Sequence, residues 1–206
     1  MFLKICGLTN EADAAHAAAA GATALGVVFA PSSPRCVSAD TARDIVEAVP
    51  ARVPVVGVFV NAPLEEIVAN DAHPGIRVVQ LHGDEPEGYA AALKMPLLRA
   101  AGVDVRLDSW PTATLLLDAT SAAQRGGTGQ RVDWEKAAAV ASQRKTVLAG
   151  GLTPANVADA IAAVRPFGVD VSSGVEASPG RKDRDKVSRF LENARNAYSK
   201  FVEANL

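Results

Sequence analysis

Cys6 in KICGLT and Asp118 in TLLLDA are the residues of this chain whose type and setting best suit the movement of protons. Each closes a short apolar run, where a strand would give way to a loop. A thiol has an ordinary pKa of about 8.5 and becomes a usable base when a cation or a helix N-terminus favours thiolate. A carboxylate leaving an apolar strand is partly desolvated, which suits a carboxylic acid to donate a proton near neutral pH. Each residue also has a plainer reading, Cys6 as a small core hydrophobe and Asp118 as a turn cap.

Other residues could bind rather than react. AGGLTP places Gly150 and Gly151 before a helix start near Pro154, and VSSG places Ser173 and Gly174 after another apolar run. Glycines let the backbone approach an anion, and helix N-termini aim N–H groups and a positive dipole end at it. These four residues therefore form a candidate phosphate site, with tight turns as the alternative. GGTG (126–129) lacks the Gly-Lys-Ser/Thr ending of a P-loop and reads as a loop over the site. Arg35 in SPRCVS carries a planar fork suited to a carboxylate, or is a surface arginine. His82 in VQLHGDE could orient, polarise or cap, and Asp170 is expected to bond toward the phosphate loops. No metal is expected, because His16 falls in a helix, His73 precedes Pro74, and nothing joins His82 at ligand spacing.

Composition narrows the setting. The 206 residues carry a net charge of -2, are 49% hydrophobic and 21% charged, and contain Cys6 and Cys36 as the only cysteines. A near-neutral balance gives no general attraction to nucleic acid or to an anionic membrane, so the expected partner is a small molecule held by local charges. Two cysteines without paired spacing argue against a disulfide framework and for a reducing cytoplasm. The alanine-rich span 14–30 is interrupted by His16 and divided by Gly21, so it reads as a helix and a strand rather than a membrane segment.

Something must bring these residues to one place. Apolar runs without strict polar alternation occur at 2–6, 24–29, 53–60, 78–81, 97–101, 114–119, 146–151 and 168–174. Such runs suit parallel strands covered on both faces. Helix starts are expected at Thr9, Ser38, Asn61 and Thr153. A closing amphipathic helix from Asp183 places Val187, Phe190, Leu191, Ala194, Tyr198 and Phe201 at helical spacing. Only GVDVRLDSWPTA, after the fifth run, fails to look like a full helix. The alternation predicts a single (β/α)8 TIM barrel over 1–206, in preference to an open doubly wound sheet, whose glycine-rich first turn is missing. In a barrel, active sites lie at the C-terminal strand ends, where Cys6, Asn61, Gln80, His82, Asp118, Ser172 and Ser173 would meet.

KICGLT, SPR-x-VS (33–38), VGVFVN, VQLHGDE, LLLDA followed by GGTG, LAGGLTP-x-NV and GVDVSSGVE-x-SPG-x-KD occur in this order. Together they resemble the phosphoribosylanthranilate isomerases of tryptophan biosynthesis, over residues from Lys4 to about Lys186. The resemblance implies an Amadori rearrangement of N-(5-phosphoribosyl)anthranilate without metal or organic cofactor. It implies Cys6 as general base and Asp118 as general acid. It also implies Arg35 at the anthranilate carboxylate, His82 in the pocket, and Gly150, Gly151, Ser173 and Gly174 at the phosphate. Ala30 and Cys36 stand where members often carry larger residues, which would loosen the pocket beside the ring. The expected assembly is a monomer or homodimer, with the tail beyond Ala197 extending the last helix or meeting another subunit. The histidine-pathway isomerase of the same fold is disfavoured, since its strand one ends in aspartate. A barrel that binds sugar phosphates without catalysis is disfavoured by the presence of both Cys6 and Asp118.

Overall fold

A computed structural model of the chain describes residues 1–71, 75–119 and 132–203. The parallel strands β1 (Phe2–Ile5), β2 (Ala24–Val28), β3 (Val55–Phe59), β4 (Ile76–Leu81), β5 (Leu97–Ala101), β6 (Thr114–Leu117), β7 (Thr146–Leu148) and β8 (Gly168–Val171) close into a barrel in sequence order. Every strand lies within its expected run except β4, which begins at Ile76 rather than at 78. Closure is made by β8 against β1, with Phe2 opposite Gly168 and Lys4 opposite Asp170. A Cβ at Gly168 would lie 2.3 Å from the Phe2 carbonyl oxygen, so glycine is what lets the two strands approach here.

Around the barrel run α1 (Glu11–Ala19), α2 (Ala39–Glu47), α3 (Leu64–Asp71), the single turn α4 (Tyr89–Ala92), α5 (Trp134–Ala141), α6 (Val157–Val164) and α7 (Arg184–Glu203). The segment between β5 and β6 contains no helix, as the sequence predicts. Its irregular course is pinned by Arg144, which donates to the carbonyls of Leu107, Ser109, Trp110 and Ala113. One arginine thereby satisfies backbone acceptors that a helix would have paired internally. After β8 come a 3₁₀ turn (Ser173–Val175) and a small hairpin of β9 (Glu176–Ser178) and β10 (Arg181–Lys182).

Side-chain contacts decide where the helices start. Ser38 caps α2 as expected, its Oγ accepting from the Thr41 N–H at 3.1 Å. Asn10, not Thr9, caps α1, because the Thr9 hydroxyl donates instead to the Gly180 carbonyl. Asn61 caps no helix; it has φ 54° and accepts from the Asp84 N–H, and α3 begins three residues later at Leu64. α6 begins at Val157 rather than near Pro154, since the Asn156 side chain folds back to accept from the Thr153 N–H.

The main apolar layer lies between barrel and helices, joining Leu3, Ile5, Leu25 and Val27 to Ile45, Ile161, Phe190 and Leu191. Inside the barrel, Ala24, Val56, Leu98, Leu116 and Val147 form a smaller cluster. The closing helix α7 supplies Val187, Phe190, Leu191 and Ala194, all fully buried, and its backbone continues to Glu203 as the expected extension. Because Phe190 is fully buried in the layer between barrel and helices, Phe190→Ala should cost about 3–5 kcal/mol in urea unfolding. A loss below about 1 kcal/mol would show that the helix contributes little to the core.

Candidate functional site

Alternate residues of a strand share a face, so Lys4 and Cys6, Gln80 and His82, Leu116 and Asp118, and Asp170 and Ser172 form pairs on the inner side of the barrel. The deepest polar group is Lys4, which has no exposed surface. Its Nζ donates to Asp170 Oδ1 at 3.1 Å and to Gln80 Oε1 at 2.8 Å. Burial works against the ammonium, but Asp170, and Cys6 when ionised, outweigh it and hold its pKa above the ordinary lysine value. Asp170 therefore faces Lys4 across the β1–β8 register, not the phosphate loops as the sequence suggested.

An ammonium only donates, so its contact claims the Gln80 oxygen and turns the Gln80 amide N–H group toward His82. Gln80 Nε2 lies 3.0 Å from His82 Nδ1. That nitrogen must then accept, which puts the imidazole proton on Nε2. Nε2 faces Asp118 Oδ2 at 3.5 Å, within ion-pair reach but without the alignment of a hydrogen bond. The other Asp118 oxygen accepts from the Ala119 N–H at 2.7 Å. Contacts of this kind commonly tighten only when a substrate is bound.

Cys6 is 8% exposed and sits beside Lys4 in the gap left by Gly26, where a Cβ would lie 2.8 Å from Cys6 Sγ and 3.0 Å from Lys4 Cε. Burial raises the Cys6 pKa above the ordinary thiol value, and the nearby Lys4 charge pulls against that rise without cancelling it. The cation that the sequence reading required for a basic thiol is thus two residues away on the same strand. Lys4 went unnoticed in that reading; the available signal was a lysine in an otherwise apolar strand, in phase with Cys6.

A cavity of about 340 Å³ opens over these groups and is lined by Cys6, Arg35, Gln80, His82, Asp118 and Ser172, with Ala30 and Val58 on its apolar wall. A larger depression of about 750 Å³ lies outside, between the β1–α1 loop and the β9–β10 hairpin, and holds Cys36 with Asn10 and Arg184. The smaller one holds the Cys6 thiol, the His82 imidazole and the Asp118 carboxylate. Cys36 is exposed and lines only the outer depression, so it does not shape the site beside Ala30 as expected.

Arg35 reaches the cavity, but part of its fork is taken. Its Nε and Nη2 donate to Glu176 at 2.8 and 2.7 Å, and Lys182 Nζ, also buried, donates to the same carboxylate at 2.9 Å. Burial disfavours the Glu176 charge, yet the hydrogen bonds from Arg35 and Lys182 prevail and hold its pKa below the usual range. The same burial pulls Lys182 below the ordinary lysine value, and Glu176 restores it only in part. Of this pair the carboxylate is the more firmly charged, because it has two cationic partners.

The candidate phosphate residues flank the cavity rather than line it. Gly150 and Gly151 have φ of 74° and 68°. A Cβ on Gly150 would lie 2.9 Å from Asp118 Oδ1 and 2.7 Å from the Ala119 nitrogen, so this glycine makes room for the acid. A Cβ on Gly174 would lie 1.9 Å from the Leu152 carbonyl oxygen, which brings the loops after β7 and β8 into contact. Ser173 is exposed at their junction. The N–H groups of Gly151 and Leu152 have no acceptor among the described residues. GGTG (126–129) and His73 lie outside the described residues, among which no cluster of His, Cys, Asp and Glu is placed to hold a metal ion. None of the described helices is long and apolar enough to cross a membrane.

The loop carrying His82 is held separately. The Glu85 carboxylate accepts from the N–H groups of Asn61 and Gly83 and from Arg99, tying the ends of β3, β4 and β5 together. Gly26→Ala should crowd Cys6 and Lys4 and destabilise the fold by about 1–3 kcal/mol in urea unfolding. A change below about 0.5 kcal/mol, ordinary for a surface position, would contradict this packing.

Comparison with known proteins points to one family. The family model described as N-(5'phosphoribosyl)anthranilate (PRA) isomerase matches residues 3–193. An N-(5'-phosphoribosyl)anthranilate isomerase of Geobacter sp. (strain M21) is 46% identical over 198 residues, covering 94% of this chain and 97% of the relative. The crystal structure of phosphoribosyl anthranilate isomerase from Thermotoga maritima is 40% identical, with a TM-score of 0.88 over 95% of this chain and 99% of that one. A phosphoribosyl anthranilate isomerase solved in complex with reduced 1-(o-carboxyphenylamino)-1-deoxyribulose 5-phosphate is 38% identical, with a TM-score of 0.83 over the same shares. The fold, the ordered motifs and these similarities together show that the chain belongs to the phosphoribosylanthranilate isomerase family.

Proposed function

We propose that the chain isomerises N-(5'-phosphoribosyl)anthranilate to 1-(2-carboxyphenylamino)-1-deoxyribulose 5-phosphate, with Asp118 as acid and Cys6 as base. The observation that carries this reading is the shared cavity, which Cys6 and Asp118 both line from the C-terminal ends of β1 and β6. Asp118 protonates the furanose ring oxygen, and the ring opens to a Schiff base. Cys6 as thiolate removes the C2 proton, giving an enolamine that tautomerises to the ketone. No step calls for a metal or an organic cofactor.

Charge placement supports the binding mode. The substrate carries a phosphate at one end and a carboxylate at the other, and fixing both holds a flexible molecule for proton transfer. The glycine-rich loops after β7 and β8 suit the phosphate, since Gly151 and Leu152 present free N–H groups beside Ser173 and Gly174. Arg35 suits the carboxylate through the hydrogens that Glu176 leaves unclaimed. His82, with its proton on Nε2, orients Asp118 and steadies the carboxylate left when that acid has given up its proton. A related structure is described as monomers generated from a dimeric isomerase of Thermotoga maritima. For this chain we propose a monomer or homodimer, working on a small-molecule substrate in the cytoplasm, where Cys6 and Cys36 remain free thiols.

Turnover of phosphoribosylanthranilate, followed by loss of substrate fluorescence, should persist in EDTA. Asp118→Asn and Cys6→Ala should each lower kcat by about 10² to 10⁴; normal rates in either variant would remove that residue from the mechanism. Because the reaction needs Asp118 protonated and Cys6 ionised together, and burial holds the Cys6 thiol above its usual pKa, the alkaline fall of kcat/KM should begin only above the ordinary thiol range. A fall that begins near neutral pH would contradict a raised Cys6 as the partner of Asp118.

A further inference from the structure

We propose that Lys4 is a positioning residue for Cys6: its buried ammonium is the counter-ion of the Cys6 thiolate, and Asp170 governs how much of that charge the thiolate receives. The proposal rests on the reading of Cys6 as the base. Lys4 on β1 and Cys6, the residue just past its end, are in phase and share the gap left by Gly26, so the end of the lysine side chain and the thiol occupy one small space. Lys4 has no exposed surface, and a charge at such depth persists only when partners offset the lost solvation. Asp170 and Gln80 accept from two of its three N–H groups. The third is available to the sulfur.

This explains why the barrel spends an ion pair where Leu or Val would pack. A carboxylate facing a thiol would suppress its ionisation, whereas a lysine between them reverses the sign of the local field. The same β1–β8 pairing that closes the barrel holds Lys4 and Asp170 in register, so the field at Cys6 is set by the backbone rather than by a loop. Other charges around Cys6 stand further out or are paired elsewhere. Arg35 and Lys182 are held by Glu176, His82 is bonded to Gln80, and Asp118 caps the far side at the end of β6. The neighbours from β2 and β3, Val28 and Val58, are neutral.

The test measures the thiol directly, apart from turnover. In a Cys36→Ser background Cys6 is the sole cysteine, and its alkylation rate by iodoacetamide as a function of pH gives its ionisation midpoint. Lys4→Met should move that midpoint upward by about one pH unit, a tenfold loss of thiolate at fixed pH. Asp170→Asn, near-isosteric, should move it downward. Opposite shifts are the expected signature, since a purely structural role would move both variants the same way or neither. Equal or absent shifts would overturn the proposal. If circular dichroism shows that Lys4→Met does not fold, Asp170→Asn decides alone, and a midpoint that stays or rises overturns it. Failure of the catalytic reading is distinguishable, because Cys6→Ala would then retain turnover whatever the midpoints do.

Discussion

A lysine with no access to solvent organises this barrel mouth. The Lys4 ammonium has lost its hydration and regains partners in Asp170 and Gln80, on strands β8 and β4. Removing one partner from such a buried pair typically costs about 3–5 kcal/mol, so the cluster constrains geometry strongly even where its net contribution to stability is small. An ammonium that can only donate decides which end of the Gln80 amide faces it. The amide then decides which nitrogen of His82 carries the proton, and His82 presents that proton toward Asp118. One charge on β1 is thereby felt at the acid on β6. Cys6, two residues along β1, shares the space beside it.

A second buried cluster holds the other edge of the site. Glu176 gathers Arg35 from the β2–α2 loop and Lys182 from the hairpin, and Lys182 also donates to the Ser172 carbonyl beside the cavity. The loops that would grip phosphate and carboxylate are thus joined through one carboxylate. Glycine does the rest of the fitting. Gly150 leaves room for Asp118, and Gly174 lets the β8 loop rest on the β7 loop. What reads locally as loop flexibility is, in the fold, close backbone contact.

Much of this architecture was legible beforehand, for physical reasons. Parallel strands buried on both faces read as apolar runs, and every barrel strand was found on that basis, with the start of β4 displaced; the short hairpin strands β9 and β10 carry no such run and were not. Cys6, His82 and Asp118 stood out because polar residues that close such runs collect at one barrel mouth. Helix starts were less visible, since Thr9 and Asn61 place their polar side chains on contacts distant in sequence, and Asn156 rather than a cap takes the Thr153 N–H. Lys4 was missed because a lysine in a strand ordinarily points to water, and only the closed barrel shows that its partners are Gln80 and Asp170. The pairing of Arg35 with Glu176 likewise joins residues far apart in sequence.

The link from Lys4 to Asp118 depends on the protonation of one ring nitrogen. ¹⁵N NMR of the His82 imidazole, identified by its loss in His82→Asn, should show the neutral ring with its proton on Nε2 and an accepting Nδ1 in the free protein at mildly alkaline pH. Substituting Lys4 by Met should release that preference, because Gln80 would no longer be obliged to offer its N–H group. A neutral His82 carrying its proton on Nδ1 in the unmodified chain would contradict the account, since His82 would then offer Asp118 no donor and the influence of Lys4 would stop at Gln80.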